Sequence, residues 1–183
     1  MENSKTSFLN LSLKNGGILG GIFILFTVMV YVLNINMFSI MFSVVYFIVI
    51  FGIAIFLIVK TMNSYRDKFL DGKITYLQCF LTGFVLLIVG MYVSGIFNYV
   101  LYGLIDPEYM PKQVEKFAEM MQNYNMPADQ LEKQITNMEE KMKPVKQLIS
   151  SLYTTPIAAA VISAIVSIFI KKNQENIPED ILR

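Results

Sequence analysis

Histidine and tryptophan are absent from this chain of 183 residues, and Cys79 is its only cysteine. Without histidine the chain cannot form a Ser-His-Asp triad or a Cys-His nucleophilic pair, and one cysteine excludes an intrachain disulfide. Cys79 lies inside an apolar run, whereas a reactive thiol needs an electropositive, partly exposed setting. We therefore interpret Cys79 as a small packed hydrophobe, and we expect no enzymatic activity, no cofactor and no metal site.

Charged side chains are missing from long stretches. None occurs between Gly16 and Lys60, where only Asn34-Ile-Asn36 interrupts the apolar run, and further long apolar stretches follow. Hydrophobic residues make up 55% of the chain, and its mean hydropathy is +0.52. Since about 20 apolar residues in a helix cross a bilayer core roughly 30 Å thick, we predict one integral membrane domain over residues 1–183. The net charge of +1 gives no reason to expect a nucleic acid partner.

The apolar stretches predict an all-α protein with four transmembrane helices. The spans are expected at residues 17–33, 37–59, 77–105 and 148–170. Strands are not expected, because the runs are continuously apolar instead of alternating. A helix through Asn34-Ile-Asn36, at about 1.5 Å per residue, would be roughly twice the bilayer thickness, so a turn is predicted there. The first run is too long for a secretory signal, and we expect it to remain uncleaved.

Lysine and arginine mark one side of the membrane. They occur in the N-terminal tail, in the loop between spans two and three and in the C-terminal tail, at Lys5, Lys14, Lys60, Arg66, Lys68, Lys73, Lys171, Lys172 and Arg183. The positive-inside rule then predicts that both termini are cytoplasmic. Tyrosines near the opposite ends of the spans are expected to form an outer belt at headgroup level, made of Tyr31, Tyr99, Tyr102 and Tyr153.

Residues 106–147 are the only sizeable segment outside the spans. Apolar residues recur there at spacings of three and four, at Val114, Phe117, Met121 and Tyr124, and again at Leu131, Ile135, Met138, Met142 and Val145. The pattern predicts an extracytoplasmic amphipathic hairpin that turns at Asn125-Met126-Pro127 and buries its stripes against each other or against a partner. Six methionines could form a thioether metal site or an adaptable groove, although filling of a small core is favoured: Met110, Met120, Met121, Met126, Met138 and Met142.

Local signals set the expected ends of these helices. Asp106 is interpreted as a helix cap with Pro107 at the first helical position, and nothing nearby completes a hydrolytic site around Asp106 and Glu108. Pro144 is expected to be a local kink in a helix that continues into span four. A solvated face is predicted from two acid-to-base pairs at i,i+4 spacing, Asp129 with Lys133 and Glu139 with Lys143.

The four predicted spans contain no Asp, Glu, Lys, Arg or His, although such groups usually mark transport or catalysis at membrane depth. Asn98 is the strongest functional candidate among their polar residues, and an interhelical hydrogen bond is its favoured role. Pro156 is expected to kink span four and to free a backbone carbonyl that a hydroxyl or a neighbouring helix can satisfy. A static kink is favoured over a gating hinge.

Small residues spaced by four predict close approach of helices, within the bundle or between copies. They are Gly16 with Gly20, Gly17 with Gly21, Gly90 with Ser94, and Ala159 with Ser163 and Ser167.

Several short motifs occur in a fixed order and spacing: Lys14-Asn-Gly-Gly17, Tyr65-Arg66-Asp67-Lys68, Gly72-Lys-Ile-Thr-Tyr76, Gly83 and Asp106-Pro107-Glu108-Tyr109, followed by a short lysine-rich tail. Together they resemble a bacterial family catalogued as domain of unknown function 4199. The resemblance covers nearly the whole chain. It implies a small four-helix protein of the bacterial inner membrane with an extracytoplasmic helical insertion, and it supplies no catalytic residues.

Three functional hypotheses follow. The first is a non-enzymatic membrane protein that associates, through its outer hairpin, with itself or with another envelope protein. The second is an oligomeric transporter or channel for a neutral or apolar solute, with its path formed between copies and dependent on Asn98 or Pro156. A membrane enzyme ranks last, because no catalytic constellation is present.

Overall fold

The computed structural model describes residues 2–124 and 127–171, and for residues 2–7 it describes the backbone alone. Asn125 and Met126 of the predicted hairpin turn, Lys172 and Arg183, and the side chain of Lys5, lie outside the described residues. Within that part of the chain no strand is formed, and the regular elements are all helices. The helices are α1 (Glu2–Val32), α2 (Ile40–Phe69), α3 (Tyr76–Val100), a π-helical turn (Leu101–Ile105), α4 (Tyr109–Asn123), α5 (Ala128–Met142) and α6 (Pro144–Ile170).

Four of these helices are long and apolar enough to cross a membrane, which confirms the predicted all-α architecture of a multi-pass membrane protein. Their apolar portions are Phe8–Val32, Ile40–Phe69, Tyr76–Ile105 and Pro144–Ile170. The first begins ahead of the predicted residue 17, and the second continues past residue 59. The two extensions pack on each other, since the rings of Phe8 and Tyr65 are 6.0 Å apart. The two helices therefore extend beyond their uncharged stretches and remain in contact there.

The turn predicted between the first two spans is present. Asn34 has φ 48°, a left-handed conformation that asparagine tolerates better than most residues. The side-chain oxygen of Asn36 accepts a hydrogen bond of 2.9 Å from the backbone N–H of Phe38, so the turn satisfies part of its own backbone.

The opposite loop, between α2 and α3, is equally short. Gly72 has φ 82°, and its N–H donates to the carbonyl of Arg66 at the end of α2. Thr75 and Gln78 form a reciprocal capping box at the start of α3. We call the end of the bundle that carries this loop the basic end, and the end that carries the α1–α2 turn, α4 and α5 the cavity end.

Helix α3 is central, and α1 approaches it closely through glycine. A Cβ at Gly16 would lie 2.7 Å from the carbonyl oxygen of Leu86, and one at Gly20 would lie 2.8 Å from the Cβ of Val93. The prediction of close approach is confirmed for this pair. At Gly17 a Cβ would meet no atom within 4 Å, so that glycine faces away from the bundle.

Helix α6 covers another face of α3 with small side chains. Ala159, Ser163 and Ser167 are fully buried, and a Cβ at Gly83 would lie 2.9 Å from Ser163 Oγ. Cys79 is also fully buried, as expected of a packed hydrophobe. Small residues therefore set the contacts on both sides of α3.

The backbone carbonyl that Pro156 leaves without a helical donor accepts a hydrogen bond from a neighbouring helix, as predicted. Proline lacks an N–H, so the carbonyl of Leu152, one turn earlier, loses its helical donor. The hydroxyl of Tyr92 on α3 donates to this oxygen over 3.1 Å. The proline thus adds a polar link between α3 and α6.

The expectation that α5 runs into span four through a kink at Pro144 is wrong. Helix α5 ends at Met142, and Pro144 is the first residue of α6, while Lys143 between them has ψ 123°. A residue before proline is sterically disfavoured in the helical region, whereas proline itself suits the first helical position. Pro144 therefore separates the two helices.

Candidate functional site

Helix α2 packs against the bundle along only part of its length. Its buried residues all lie between Ala54 and Tyr65, and none is buried between Ile40 and Phe51. A cavity of about 460 Å³ lies between the Ile40 to Phe51 stretch of α2 and the other helices. Its lining comes from every helix of the bundle: Thr27, Val30, Met37, Phe42, Ser43, Tyr46, Phe47, Ile50, Asn98, Tyr102, Met110, Met142 and Gln147.

The cavity opens at the side of the bundle. Phe47 contributes to its lining and is nevertheless 64% exposed, which places this ring at the rim. Phe47 belongs to the long apolar stretch of α2, which is the part of the chain suited to contact hydrocarbon. The rim at Phe47 therefore belongs to a stretch of the chain suited to contact hydrocarbon.

Polar side chains in the cavity lack partners. Of those lining it, Ser43 donates to the carbonyl of Met37 over 2.8 Å. The others form no side-chain hydrogen bond with any described residue, and they are Thr27, Tyr46, Asn98, Tyr102 and Gln147. No charged residue is among the lining residues. An apolar cavity with a few converging polar groups is the usual form of a small-molecule site, and its volume falls in the range of about 300–1,000 Å³ of such sites.

Asn98 is the most constrained of these groups. Its Oδ1 is enclosed by protein and has no hydrogen-bond partner among the described residues. The predicted interhelical hydrogen bond of Asn98 is therefore wrong, because the part of α2 that faces the cavity stands away from α3 and offers it no donor. An enclosed amide without partners is costly, and such exceptions call for an explanation.

The backbone next to Asn98 is irregular. Three residues after it begins the π-helical turn Leu101–Ile105, and the N–H of Asp106 donates to the carbonyl of Leu101 over 2.8 Å. Single π turns inside or at the end of α-helices occur frequently at functional sites, since the extra residue redirects the side chains. Here the turn contains Tyr102, which is 5% exposed and lines the cavity.

A strap formed by residues 106–117 is fastened across the cavity end. Gln113 is fully buried, and its Oε1 accepts a bond of 3.2 Å from the N–H of Met37. Lys116 Nζ donates to the backbone oxygen of Asn34 over 3.2 Å and to its side-chain oxygen over 2.8 Å. The rings of Phe38 and Phe117 are 5.2 Å apart. The strap therefore holds the α1–α2 turn at several points.

Asp106 belongs to this fastening and is not a helix cap. Helix α4 begins at Tyr109, and its N-cap residue, Glu108, makes no side-chain cap hydrogen bond. Asp106 Oδ2 instead accepts a hydrogen bond of 3.1 Å from the hydroxyl of Tyr31. The π-helical turn prolongs α3 to residue 105, so Asp106 lies where α3 ends. Pro107 precedes α4, which corrects its expected place at the first helical position.

Two of the four tyrosines expected in the outer belt, Tyr31 and Tyr102, pack against Tyr109 next to the cavity. The ring of Tyr109 lies 5.0 Å from that of Tyr31 and 5.2 Å from that of Tyr102. Burial raises the pKa of Tyr109 above its ordinary value, and the nearby Tyr31 and Asp106 raise it further. Tyr153, at 60% exposure, remains available for a belt, whereas Tyr102 does not.

The apolar stripes of α4 and α5 are turned inward in part. Val114 and Leu131 are buried, while Tyr124 at the end of α4 is 67% exposed. A second cavity of about 290 Å³ lies between α4, α5 and the start of α6, and it shares Met110 and Met142 with the first. These methionines therefore fill the boundary between two cavities.

The predicted ion pairs are replaced by others. Among the described residues, Lys146 pairs with Glu140 and Lys112 Nζ lies 3.0 Å from Glu108. The expected pairs of Asp129 with Lys133 and of Glu139 with Lys143 are not formed in this part of the chain. Lys143 lies in the break between α5 and α6, so helical spacing no longer relates it to Glu139.

Sequence reasoning selected Asn98 but missed most of its neighbours. Tyr46, Tyr102, Thr27 and Gln147 are dispersed over separate helices, and no spacing rule connects them. The one available signal was side-chain size: between Phe38 and Phe51 the apolar run is rich in aromatic residues, and its small side chains are Ser39 and Ser43. Within the described residues, no group of three or more histidine, cysteine or acidic side chains could hold a metal ion.

The comparison with protein families agrees with the resemblance noted above. Residues 14–172 match the family of proteins of unknown function DUF4199, and the chain belongs to this family. Searches among curated proteins and among solved structures found no match.

Proposed function

We propose that this multi-pass membrane protein is a non-enzymatic binding protein that takes a neutral, mainly apolar molecule into its lateral cavity. The observation that carries the proposal is the cavity itself, which combines an uncharged, largely apolar lining with five polar side chains that have no partner among the described residues. A bound molecule can supply partners to those polar atoms that face the cavity. This develops the solute hypothesis, with the site inside one copy of the chain instead of between copies.

The proposed orientation places the basic end in the cytoplasm and the cavity end at the outer face of a bacterial inner membrane. Lys14 on α1, Lys171 after α6 and the basic residues around the α2–α3 loop support it, because short basic segments are retained on the cytoplasmic side. The cavity then opens within the outer half of the bilayer, and α4 and α5 lie outside the hydrocarbon layer.

Photolabelling tests the proposed binding. The purified protein, in lipid nanodiscs, is labelled with a neutral alkyl diazirine, and the modified residues are identified by mass spectrometry. We expect labelling concentrated on Tyr46, Phe47 and Tyr102, and we expect Thr27→Phe to reduce it severalfold by filling the cavity. Ile96→Phe is the matched control, since Ile96 is 59% exposed on the outside of α3. Labelling spread evenly over exposed residues and unaffected by Thr27→Phe would contradict the proposal.

Association through α4 and α5 is a second candidate function. One observation favours it: Tyr124 is a large side chain, 67% exposed, at the tip of the segment outside the apolar helices. In a Cys79→Ser background, Tyr124→Cys should capture a neighbouring copy or an envelope protein by thiol crosslinking in native membranes. Val114→Cys, at a position only 3% exposed, is the control that should not react. Absence of crosslinked products from both variants would contradict this candidate function.

A further inference from the structure

We infer that the lateral cavity holds an alkyl chain of a zwitterionic phospholipid, and that the second cavity, between α4, α5 and the start of α6, holds its head group. In this arrangement Glu139 attracts the ammonium and Lys143 attracts the phosphate. The inference rests on the proposed function and deepens it, because such a lipid is neutral overall and carries its charges only in the head group.

The second cavity presents two opposite charges that are not paired with each other. Glu139 and Lys143 both line this cavity of about 290 Å³, and neither forms an ion pair with any described residue. In a continuous helix, an acidic and a basic residue four positions apart are neighbours. Here the ψ of 123° at Lys143 ends α5 and removes Lys143 from that spacing. The break before Pro144 therefore leaves one anion and one cation available to a ligand.

A head group with charges of both signs matches this lining. Two further carboxylates at the same end have partners of their own: Glu108 pairs with Lys112, and Glu140 with Lys146. The pKa of the Glu140 carboxyl is lowered mainly by Lys146 and less by Lys143. The lining itself carries one charge of each sign. An anionic or a cationic head group would be attracted by one of these two residues and repelled by the other, whereas a zwitterion can satisfy both.

The two cavities follow each other as the head group and the chain do in a lipid. They share Met110 and Met142, whose unbranched, flexible side chains can move to join the two spaces. Lys143 lines the second cavity, and Gln147, one turn further along α6, lines the lateral cavity. The Gln147 amide is partly exposed and forms no side-chain hydrogen bond with a described residue, so it can bond the polar linkage of a lipid. The rim at Phe47 then gives the chain access to the bilayer.

Competition between probes with the same chain and different head groups tests the inference. The protein, in nanodiscs of the uncharged lipid digalactosyl diacylglycerol, is labelled with dodecylphosphocholine that carries a diazirine in its chain. Unlabelled dodecylphosphocholine, dodecyl phosphate and dodecyltrimethylammonium compete at equal bilayer concentrations. We expect the zwitterion to compete about fivefold better than either singly charged compound, which is the most that an exposed ion pair usually contributes. Glycerophosphocholine, which has the head group without the chain, should not compete.

Two substitutions should separate the contributions of the two charges. In Lys143→Gln, dodecyltrimethylammonium should compete as well as the zwitterion, and dodecyl phosphate should remain weaker. In Glu139→Gln, dodecyl phosphate should compete as well as the zwitterion, and dodecyltrimethylammonium should remain weaker. Glu132→Gln and Lys141→Gln are the matched controls, because both residues are exposed on α5 and neither is among the lining residues of the two cavities. The fivefold preference should persist in both controls.

The outcomes separate this inference from the proposed function. If the neutral alkyl diazirine fails to label the lateral cavity, the proposed binding function itself is wrong. If it labels the cavity but the three head groups compete equally, or if Lys143→Gln and Glu139→Gln keep the original preferences, binding stands and recognition of the head group is overturned. Competition by glycerophosphocholine would assign the second cavity to a soluble zwitterion and overturn the lipid. Reciprocal loss of preference in the two variants, with alkyl diazirine labelling retained, is the result that supports the inference.

Discussion

The two ends of this helix bundle use similar apolar helices and yet differ in how those helices meet. At the basic end Ile58 and Met62 of α2 are fully buried against the other helices. At the cavity end Phe42, Tyr46 and Phe47 of the same helix line an open space. Lipid is as apolar as a side chain, so membrane helices approach closely only where small residues permit it. Glycine, alanine and serine provide this at the α1–α3 and α3–α6 contacts, whereas the aromatic part of α2 does not.

The two ends also differ in where we propose that a ligand binds. Near the basic end the hydroxyls of Thr61 and Thr82 donate to carbonyls one turn earlier over 2.6 and 2.7 Å, whereas Ser12 Oγ and Ser163 Oγ are buried without a partner among the described residues. Asn98 Oδ1, at the cavity end, has no partner among them either. The open space, and not the number of unpaired polar groups, is why we place binding at the cavity end.

The largest expected effect comes from breaking the glycine contact. Gly16→Leu forces a side chain against the backbone oxygen of Leu86, 2.7 Å from the new Cβ, and backbone cannot move aside easily. We expect no folded monomer after extraction in detergent, measured by size-exclusion chromatography. Gly17→Leu is the matched control, because a Cβ there meets no atom within 4 Å. Normal behaviour of both variants would show that α1 does not depend on this contact.

Shortening an isoleucine side chain of α2 to alanine should destabilise the protein near the basic end and have little effect near the cavity end. Ile58 is fully buried, and Ile58→Ala should lower the free energy of unfolding by about 2–5 kcal/mol. Ile48 lies on the same helix and is 63% exposed. Ile48→Ala should lower the free energy of unfolding by less than about 1 kcal/mol, because it leaves no cavity. Unfolding in mixed detergent micelles measures both. Equal losses would mean that the cavity end is packed as tightly as the basic end.

The link between Tyr92 and Leu152 should depend on Pro156. Tyr92→Phe removes the donor to an otherwise unpaired carbonyl, and we expect a loss of about 0.6–1.7 kcal/mol. Pro156→Ala restores a helical N–H to Leu152, so Tyr92→Phe should cost much less in that background. A double-mutant cycle of unfolding free energies measures the coupling. Additive losses would indicate that the hydroxyl contributes independently of the proline.

The smallest expected effect is a loosening of the strap at alkaline pH. Because the pKa of Tyr109 is raised in the folded protein, its stabilising contribution is complete below the unfolded pKa of about 10 and is lost as pH rises through the folded value. Hydrogen exchange of α4, followed from pH 9 upward, should accelerate in this range. Tyr109→Phe keeps the ring and removes the ionisation, so its acceleration should be smaller. An identical profile in both proteins would exclude Tyr109 as the cause.

Periodicity and composition predicted much of this fold. The uncharged run and its Asn34-Ile-Asn36 break predicted two helices and a turn, and the structure has both. A hydrogen-bond donor to the Leu152 carbonyl was expected from a hydroxyl or a neighbouring helix, because Pro156 leaves that carbonyl without its helical donor. The role of Asp106 was missed, because a capping signature is local and the competing bond comes from Tyr31 on another helix.

The candidate site was largely out of reach of such reasoning. Asn98 stood out as a strongly polar residue in a span, yet its environment depends on how far α2 stands from α3. A π-helical turn has no dependable sequence signature, although it contains Tyr102 and so determines what this side chain faces. The apolar stripes of α4 and α5 are visible in the sequence, and only the structure showed Val114 buried and Tyr124 exposed.

The sequence by itself determined that the chain forms long apolar helices, where they turn and which glycines permit contact, because these depend on hydrophobicity and backbone freedom over neighbouring residues. Tertiary structure decided where the helices separate, which polar groups remain unpaired and what the strap fastens. Those features depend on contacts between residues far apart in the chain, such as Asn34 with Lys116 and Tyr31 with Asp106. The cavity is the clearest example, since it exists only where the aromatic part of α2 stands away from the other helices.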